Sequence, residues 1–197
     1  MLNDVNINIP PGSIHGVVGN NGSGKTVLMK CICGFLIPVS GEITVNYKRI
    51  GKDMDFPQDT GIIIETPGFL PNLTGMRNLE LLASLRKKID KKAVAEAIRA
   101  VGLDPEMKKP VSKYSLGMRQ RLGIAQAIME DPDILLLDEP LNGLDNEGVE
   151  EIRKVLLSLK EKGKLIILAS HSKEDIQILC DTVFRMDHGK IIATETN

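Results

Sequence analysis

The eight-residue stretch GNNGSGKT (Gly19–Thr26) constrains the fold of this 197-residue chain more than any other feature. It fits the pattern G-x-x-x-x-G-K-[ST], whose glycines let successive backbone N–H groups converge on phosphate oxygens. A strand-like run over 13–19 leads into it, and a helical pattern over 25–35 follows, so the helix N-terminus would face the anion. The stretch therefore predicts a phosphate-binding loop between a strand and a helix.

Strand-like and helical segments alternate along the rest of the chain. The continuously apolar runs at 61–64, 134–138 and 165–169 are typical of parallel strands covered on both faces. This order predicts an α/β fold, a P-loop NTPase core with a mostly parallel sheet, a partial antiparallel β region and an inserted α-helical subdomain. Further strands are expected at 42–47, 182–186 and 190–194, and further helices at 75–87 (with Leu79, Leu82 and Leu85 on one face), 91–101, 116–130, 147–161 and from 173.

We expect a single domain over residues 1–197. The α/β core and its β region would take 1–66 and 131–197, and the helical subdomain 67–130, because that block shows helical patterns and no convincing strand. The net charge of −1 offers no basic field for nucleic acid. No apolar run is long enough to span a bilayer, and the N-terminus lacks the features of a signal peptide. The three cysteines, an odd number without metal spacing, predict reduced thiols.

Two acidic residues and a histidine follow apolar strands, where they would meet the phosphate loop. Asp138 ends the run ILLLD and is predicted to bind Mg²⁺ together with the Thr26 hydroxyl. Glu139 beside it would polarise an attacking water. His171 ends another apolar strand and, with Glu139 and Lys25, completes the predicted catalytic set. The predicted nucleotide-binding residues are Gly19, Asn20, Asn21, Gly22, Ser23, Gly24, Lys25, Thr26 and Val27.

The segment YSLGMRQRLGIAQAI, which starts at Tyr114, resembles the signature segment of ATP-binding cassette (ABC) ATPases, usually written LSGGQ. The serine and the second glycine of that signature are present, whereas Leu116 and Met118 depart from it. The resemblance covers nearly the whole chain, and its motifs occur in the family's order. They are Walker A at 19–26, the signature at 114–118, Walker B at 134–139, the D-loop NGLD at 142–145 and the H-loop His171.

The resemblance implies that ATP and Mg²⁺ are the cofactors and that two cassettes, expected as a head-to-tail homodimer, enclose the nucleotides. It also implies a separate multi-span permease, no nucleic-acid partner, and a cytoplasmic location on the inner face of the cell membrane, held there only through the permease. The residues implied to contact ATP held by the other subunit are Ser115, Leu116, Gly117, Met118 and Asp145.

Glu65 stands where this family usually has a glutamine that contacts Mg²⁺ and senses the permease. The stretch IIIETPGFLPNLT, with YSLGM, resembles the cassettes of bacitracin- or lantibiotic-type peptide export and immunity. The resemblance therefore implies an ATPase that powers such transport, with Glu65 as a metal ligand. Phe69 and Leu70, which follow in the same loop, either dock on the permease or pack under the helical insert.

Two departures keep other functions open. None of the 24 residues before Lys25 is Phe, Tyr or Trp, so the usual adenine-stacking aromatic and the first strand of the β region are expected to be missing from an N-terminally short cassette. The alternatives are a soluble ABC ATPase outside transport, or a regulatory nucleotide-binding cassette with weak hydrolysis. The chain shows no zinc module, long coiled coil or second cassette, which disfavours the first alternative, and Glu139 and His171 argue against the second.

Overall fold

The computed structural model describes residues 2–65 and 67–196. The strands are β1 (Ile14–Val18), β2 (Thr44–Val45), β3 (Lys48–Arg49), β4 (Thr60–Ile63), β5 (Ile134–Asp138), β6 (Leu165–Ala169), β7 (Thr182–Asp187) and β8 (Lys190–Thr196). The helices are α1 (Lys25–Ile32), α2 (Gly75–Arg86), α3 (Lys91–Ala100), α4 (Leu116–Ile128), α5 (Asn146–Glu161) and α6 (Lys173–Leu179), with a 3₁₀ turn at Val111–Lys113.

Six strands form the main sheet in the order β4-β5-β6-β1-β7-β8. All neighbouring pairs are parallel except β7 and β8, which are antiparallel. The carboxyl ends of β1, β5 and β6 therefore meet at one edge of the sheet, where loops commonly build a ligand site. The predicted α/β fold with a mostly parallel sheet is confirmed.

The central strands bury side chains on both faces of the sheet. On β5, Leu135 and Leu137 belong to one apolar cluster, which also includes Ile152 of α5. Their neighbour Leu136 belongs to a second cluster on the opposite face, with Leu28 of α1. Because successive side chains of a strand point to opposite faces, helices on both sides explain why these strands are continuously apolar.

The helices α2, α3 and α4 lie between β4 and β5 in the chain, as predicted. A Cβ atom on Gly61 of β4 would lie 2.0 Å from the carbonyl oxygen of Ala127, so α4 packs directly on the backbone of β4. The predicted apolar face of α2 is wrong in part. Leu79 is fully buried, but Leu82 is 37% and Leu85 79% exposed, because these two residues line a cavity beside β4 and the end of α4 instead of packing in the core.

The predicted strand over 42–47 is also wrong, because the chain reverses within it. Asn46 and Tyr47 have φ angles of 48° and 64° and connect β2 to β3 as a tight antiparallel hairpin. Two consecutive positive φ angles are typical of the turn that matches the twist of a hairpin. In the loop after β4, Phe69 packs against the core, whereas Leu70 is 54% exposed, so docking on the permease stays a prediction for Leu70 alone.

Candidate active site

The predicted phosphate loop connects the end of β1 to the start of α1. Gly24 is the N-cap residue of α1 with φ 109° and makes no side-chain capping hydrogen bond. The first N–H groups of α1 therefore remain available to an anion. A Cβ atom on Gly19 would lie 2.3 Å from the carbonyl oxygen of Met186, so the close approach of β7 requires glycine here.

Lys25 is the first residue of α1 and is only 7% exposed. Its Nζ donates hydrogen bonds to the carbonyl oxygens of Gly19 (2.8 Å) and Asn20 (3.2 Å). Both acceptors are neutral, so the charge of the ammonium group is left for an anion in the loop. The chain thus places a buried cation beside the uncapped helix N-terminus.

Thr26 and Asp138 meet across the sheet edge. The Thr26 hydroxyl donates a hydrogen bond of 2.7 Å to Oδ2 of Asp138, which ends β5. A hydroxyl and a carboxylate are hard oxygen ligands of the kind that Mg²⁺ prefers, with water supplying the rest of its coordination shell. The donor set therefore fits the predicted magnesium site. No cluster of three or more His, Cys, Asp or Glu able to hold a metal occurs in the described parts of the chain.

Glu139 and His171 are brought together at the ends of β5 and β6. Oε1 of Glu139 lies 3.3 Å from Nε2 of His171, and the His171 backbone N–H donates to Oε2 over 3.4 Å. Oε1 is buried and makes no hydrogen bond within the described structure. Burial raises the pKa of the Glu139 carboxyl, and the proximity of His171 opposes that shift in part. A carboxyl with a raised pKa beside phosphate-binding groups suits general base chemistry.

The backbone of Glu139 is held in an unusual conformation. Its φ is 51°, a left-handed value that non-glycine residues rarely adopt. Its N–H donates to the carbonyl oxygen of Ala169 (3.0 Å). On the other side, Nε2 of Gln120 in α4 donates to the carbonyl oxygens of Glu139 and Pro140, each over 3.0 Å. Gln120 is not among the predicted site residues, and its signal in the sequence is its place two residues after the signature.

Glu65 is predicted as a metal ligand, but its partner in the structure is a cation. Its Oε1 is 2.5 Å from Nζ of Lys30, which projects from α1, and its side chain is 66% exposed. Glu65 also adopts a left-handed backbone with φ 62°. The neighbouring Thr66 lies outside the described residues.

The signature segment forms the N-terminal turn of α4. Ser115 is the N-cap residue, and its hydroxyl accepts a hydrogen bond from the Met118 N–H over 3.1 Å. A Cβ atom on Gly117 would lie 2.9 Å from the carbonyl oxygen of Gly143, so the signature contacts the D-loop of its own chain. Asp145 is exposed and caps α5 through the Gly148 N–H.

A single cavity of about 500 Å³ joins most of these groups. Lys25, Thr26, Glu65, Asp138, Glu139 and His171 all line it. Of the predicted loop residues, Asn21, Gly22, Gly24 and Val27 also line it, whereas Gly19, Asn20 and Ser23 do not. Of the residues predicted to act across the dimer, only Leu116 reaches it, while Ser115, Gly117, Met118 and Asp145 lie outside the lining.

Fold, loop and cavity together define a nucleotide-binding cassette, and the family comparison agrees. Residues 2–142 match the family model described as ABC transporter. The chain belongs to this family of ATP-binding proteins, and the predicted class, an ABC ATPase, is confirmed at the level of the family.

Similar proteins with assigned names indicate a subgroup within this family. The chain is 43% identical to an uncharacterized ABC transporter ATP-binding protein, YybJ, of Bacillus subtilis, covering 99% of this chain and 89% of that protein. It is also 43% identical to the bacitracin transport ATP-binding protein BcrA of Enterococcus faecalis, covering 98% of this chain and 63% of BcrA. The lantibiotic transport ATP-binding protein SrtF of Streptococcus pyogenes is 36% identical, over 98% and 82%. The predicted resemblance to this subgroup is confirmed.

Solved structures support the same fold. An ATP-binding subunit of an ABC transporter superposes with a TM-score of 0.89 at 26% identity, covering 99% of this chain and 83% of that one. The CbiO1 protein of Clostridium perfringens, described as part of the transporter complex CbiONQ, gives a TM-score of 0.82 at 30% identity, over 99% and 81%. Within residues 2–65 and 67–196, no helix has the length and apolar character needed to cross a membrane.

Proposed function

We propose that this chain is the ATP-hydrolysing subunit of a transporter that exports an antimicrobial peptide or confers immunity to one. The observation that carries the proposal is the contact of Glu139 with His171 in the cavity that also holds Lys25 and the phosphate loop. A proton acceptor, an imidazole and a phosphate cradle in one cavity are the groups that hydrolysis of a phosphoanhydride needs.

The geometry supports in-line attack of water on the γ-phosphate. Lys25 and the N–H groups at the start of α1 would hold the phosphates and stabilise the charge that develops on them. Glu139 would accept a proton from the attacking water through its free Oε1, while His171 orients that water. The bond between the β–γ bridging oxygen and the γ-phosphorus breaks, which leaves ADP and inorganic phosphate.

The donor set described above leads us to place Mg²⁺ on Thr26 and Asp138. The ion, when bound, offsets the negative charge of the phosphate oxygens. Before it binds, the Thr26 hydroxyl and the Asp138 carboxylate satisfy each other. Thr26→Val retains the size of the side chain and removes the oxygen, so we expect the Mg²⁺ concentration needed for ATP binding to rise, with equilibrium dialysis as the assay.

Glu65 is proposed as a further ligand of Mg²⁺ or of its water once the two cassettes close. The carboxylate would have to leave Lys30, and an exposed ion pair is weak enough to permit this. Glu65→Gln and Glu65→Ala are therefore expected to change transport and the Mg²⁺ dependence of hydrolysis in the assembled transporter. If neither quantity changes in either variant, Glu65 is only a charged surface residue paired with Lys30.

We further propose a head-to-tail homodimer in which the signature of one chain completes the site of the other. The support is that Ser115 and Gly117 lie outside the cavity of their own chain, at an exposed helix N-terminus suited to an anion. Ser115→Asp retains the N-cap and adds a negative charge where the partner's phosphate would lie. Ser115→Asn is the matched control, because it caps the helix without that charge.

Mixing two inactive variants tests this arrangement. A dimer of the Lys25→Ala and Ser115→Asp chains contains one intact composite site, whereas each variant alone contains none. Half of the dimers in an equimolar mixture would be mixed, so we expect about a quarter of the wild-type hydrolysis to return. A mixture as inactive as its components would reject the composite site, provided that cross-linking shows mixed dimers.

The transport role rests on the relatives, whose names specify bacitracin and lantibiotic transport. The chain would act in the cytoplasm against a permease, and we propose residues 67–130, the helical subdomain, as the permease-facing part. Deleting the gene should lower resistance to bacitracin or a lantibiotic but not to an unrelated antibiotic. Wild-type chain should restore resistance and Glu139→Gln should not, and a deletion without effect on any peptide would reject the substrate class.

A further inference from the structure

We propose that Gln120 is a positioning residue that ties the signature helix of each chain to the catalytic Glu139 of that same chain. The proposal rests on the proposed function, because it assigns Glu139 as the base. It goes beyond that function by connecting the two sites of a dimer. When the signature of one chain contacts the partner's nucleotide, this link would change the position of Glu139, the base, in that first chain.

The link consists of two hydrogen bonds from one amide group. Nε2 of Gln120 carries two N–H groups and lies 3.0 Å from each of the carbonyl oxygens of Glu139 and Pro140. Both N–H groups are thus used on adjacent peptide units at the end of β5. The Gln120 side chain therefore restrains the position of this corner and the direction in which Glu139 leaves the strand.

Glu139 needs such a restraint because its conformation is strained. A φ of 51° is unfavourable for a residue with a Cβ, and it persists only where surrounding contacts hold it. The Ala169 carbonyl oxygen holds the N–H side of Glu139, while Gln120 (3.0 Å) and the Asn142 N–H (3.2 Å) both donate to its carbonyl oxygen. Without Gln120, one of these three restraints and the hydrogen bond to the Pro140 carbonyl oxygen are lost, so the position of the free Oε1 would be less defined.

A second contact joins the same two elements. A Cβ atom on Gly143 would lie 2.5 Å from Cδ2 of Leu116, and one on Gly117 would lie 2.9 Å from the Gly143 carbonyl oxygen. The first turn of α4 therefore touches the loop that follows Glu139. Gln120 lies one turn further along α4, so a shift of this helix would pull on the corner at residues 139–144 from both points.

Gln120→Met tests the link, because methionine has a similar length and no N–H group. We expect kcat for ATP to fall about tenfold with KM unchanged, since the phosphate loop is not altered. Gln120→Glu should lose more, because its carboxylate would face two carbonyl oxygens. Gln126→Met is the matched control: Gln126 lies on the same helix, is also half-buried, and makes no side-chain hydrogen bond in the described parts of the chain.

Hydrogen exchange of residues 139–144, measured by mass spectrometry without nucleotide, gives a readout that does not depend on hydrolysis. Faster exchange in Gln120→Met than in wild type and Gln126→Met is expected. Unchanged exchange, or the same kcat for Gln120→Met and Gln126→Met, would overturn the proposal. If the wild-type chain hydrolyses no ATP, the proposed function fails, and the exchange measurement still decides whether Gln120 restrains this corner.

Discussion

Replacing Glu139 with glutamine is the sharpest test of the site, because it changes catalysis and stability in opposite directions. The amide has the same size as the carboxyl group but cannot take a proton from water. A positioned general base contributes about 10²–10⁴-fold to a rate, so we expect kcat of Glu139→Gln to fall within that range. ATP binding should persist, because Lys25 and the first turn of α1 are unchanged. Phosphate release and calorimetric nucleotide titration measure the two quantities.

The raised pKa of Glu139 sets the expected pH dependence of the wild-type rate. Burial raises this pKa above the ordinary value of 4.5, and the base works only when deprotonated. The rate should therefore fall, as the pH is lowered, at a higher pH than for an ordinary glutamate. The residual rate of Glu139→Gln should lack this step, because the amide does not titrate in this range.

The Glu139→Gln substitution should raise the stability of the chain at neutral pH although it lowers the rate of hydrolysis. A carboxyl whose pKa is higher in the folded state than in the unfolded state favours folding when it is protonated. That contribution is complete below the unfolded-state pKa and is lost as the pH rises through the folded-state pKa. At neutral pH, Glu139→Gln should therefore have a higher Tm without nucleotide than wild type. The difference in Tm should shrink as the pH falls towards 4.5.

Two results would refute this reasoning about Glu139. A variant that hydrolyses ATP at the wild-type rate would show that another group accepts the proton. A variant with an unchanged or lower Tm at neutral pH would show that the half-buried carboxylate of Glu139 carries no net desolvation cost in the folded chain. Glu147→Gln, at an exposed position in the first turn of α5, is the control for removing a carboxylate elsewhere.

Two further predictions concern the scaffold around the site. Arg153 and Asp175 form a buried ion pair between α5 and α6, so Asp175→Ala should lower the free energy of unfolding by about 3 kcal/mol. Glu174→Ala, which removes an exposed partner of Arg153, should cost about 0.5 kcal/mol; urea unfolding compares the two. Gly61→Ala would drive a methyl group into the Ala127 carbonyl and should cost about 2 kcal/mol in the same assay, and an unchanged midpoint would contradict that contact.

Much of the site could be predicted because each motif lies at the end of an apolar strand. The run ILLLD places Asp138 and Glu139 after β5, and LIILA places His171 after β6. Parallel strands end at the same edge of a sheet, so these residues and the phosphate loop had to converge. By contrast, the hairpin at Asn46 and the exposed side of α2 could not be predicted, because a short apolar pattern does not show where a chain reverses or what covers a helix.

The sequence by itself determined the class of chemistry, because glycines, a lysine and paired acids at these spacings have one common use around phosphate. Only the tertiary structure decided which partners those groups have. It paired Glu65 with Lys30 and placed Gln120 against the backbone of Glu139, contacts between residues 35 and 19 positions apart. Such contacts depend on how α1 and α4 pack against the sheet, and no local pattern records the distance between two elements that meet only after folding.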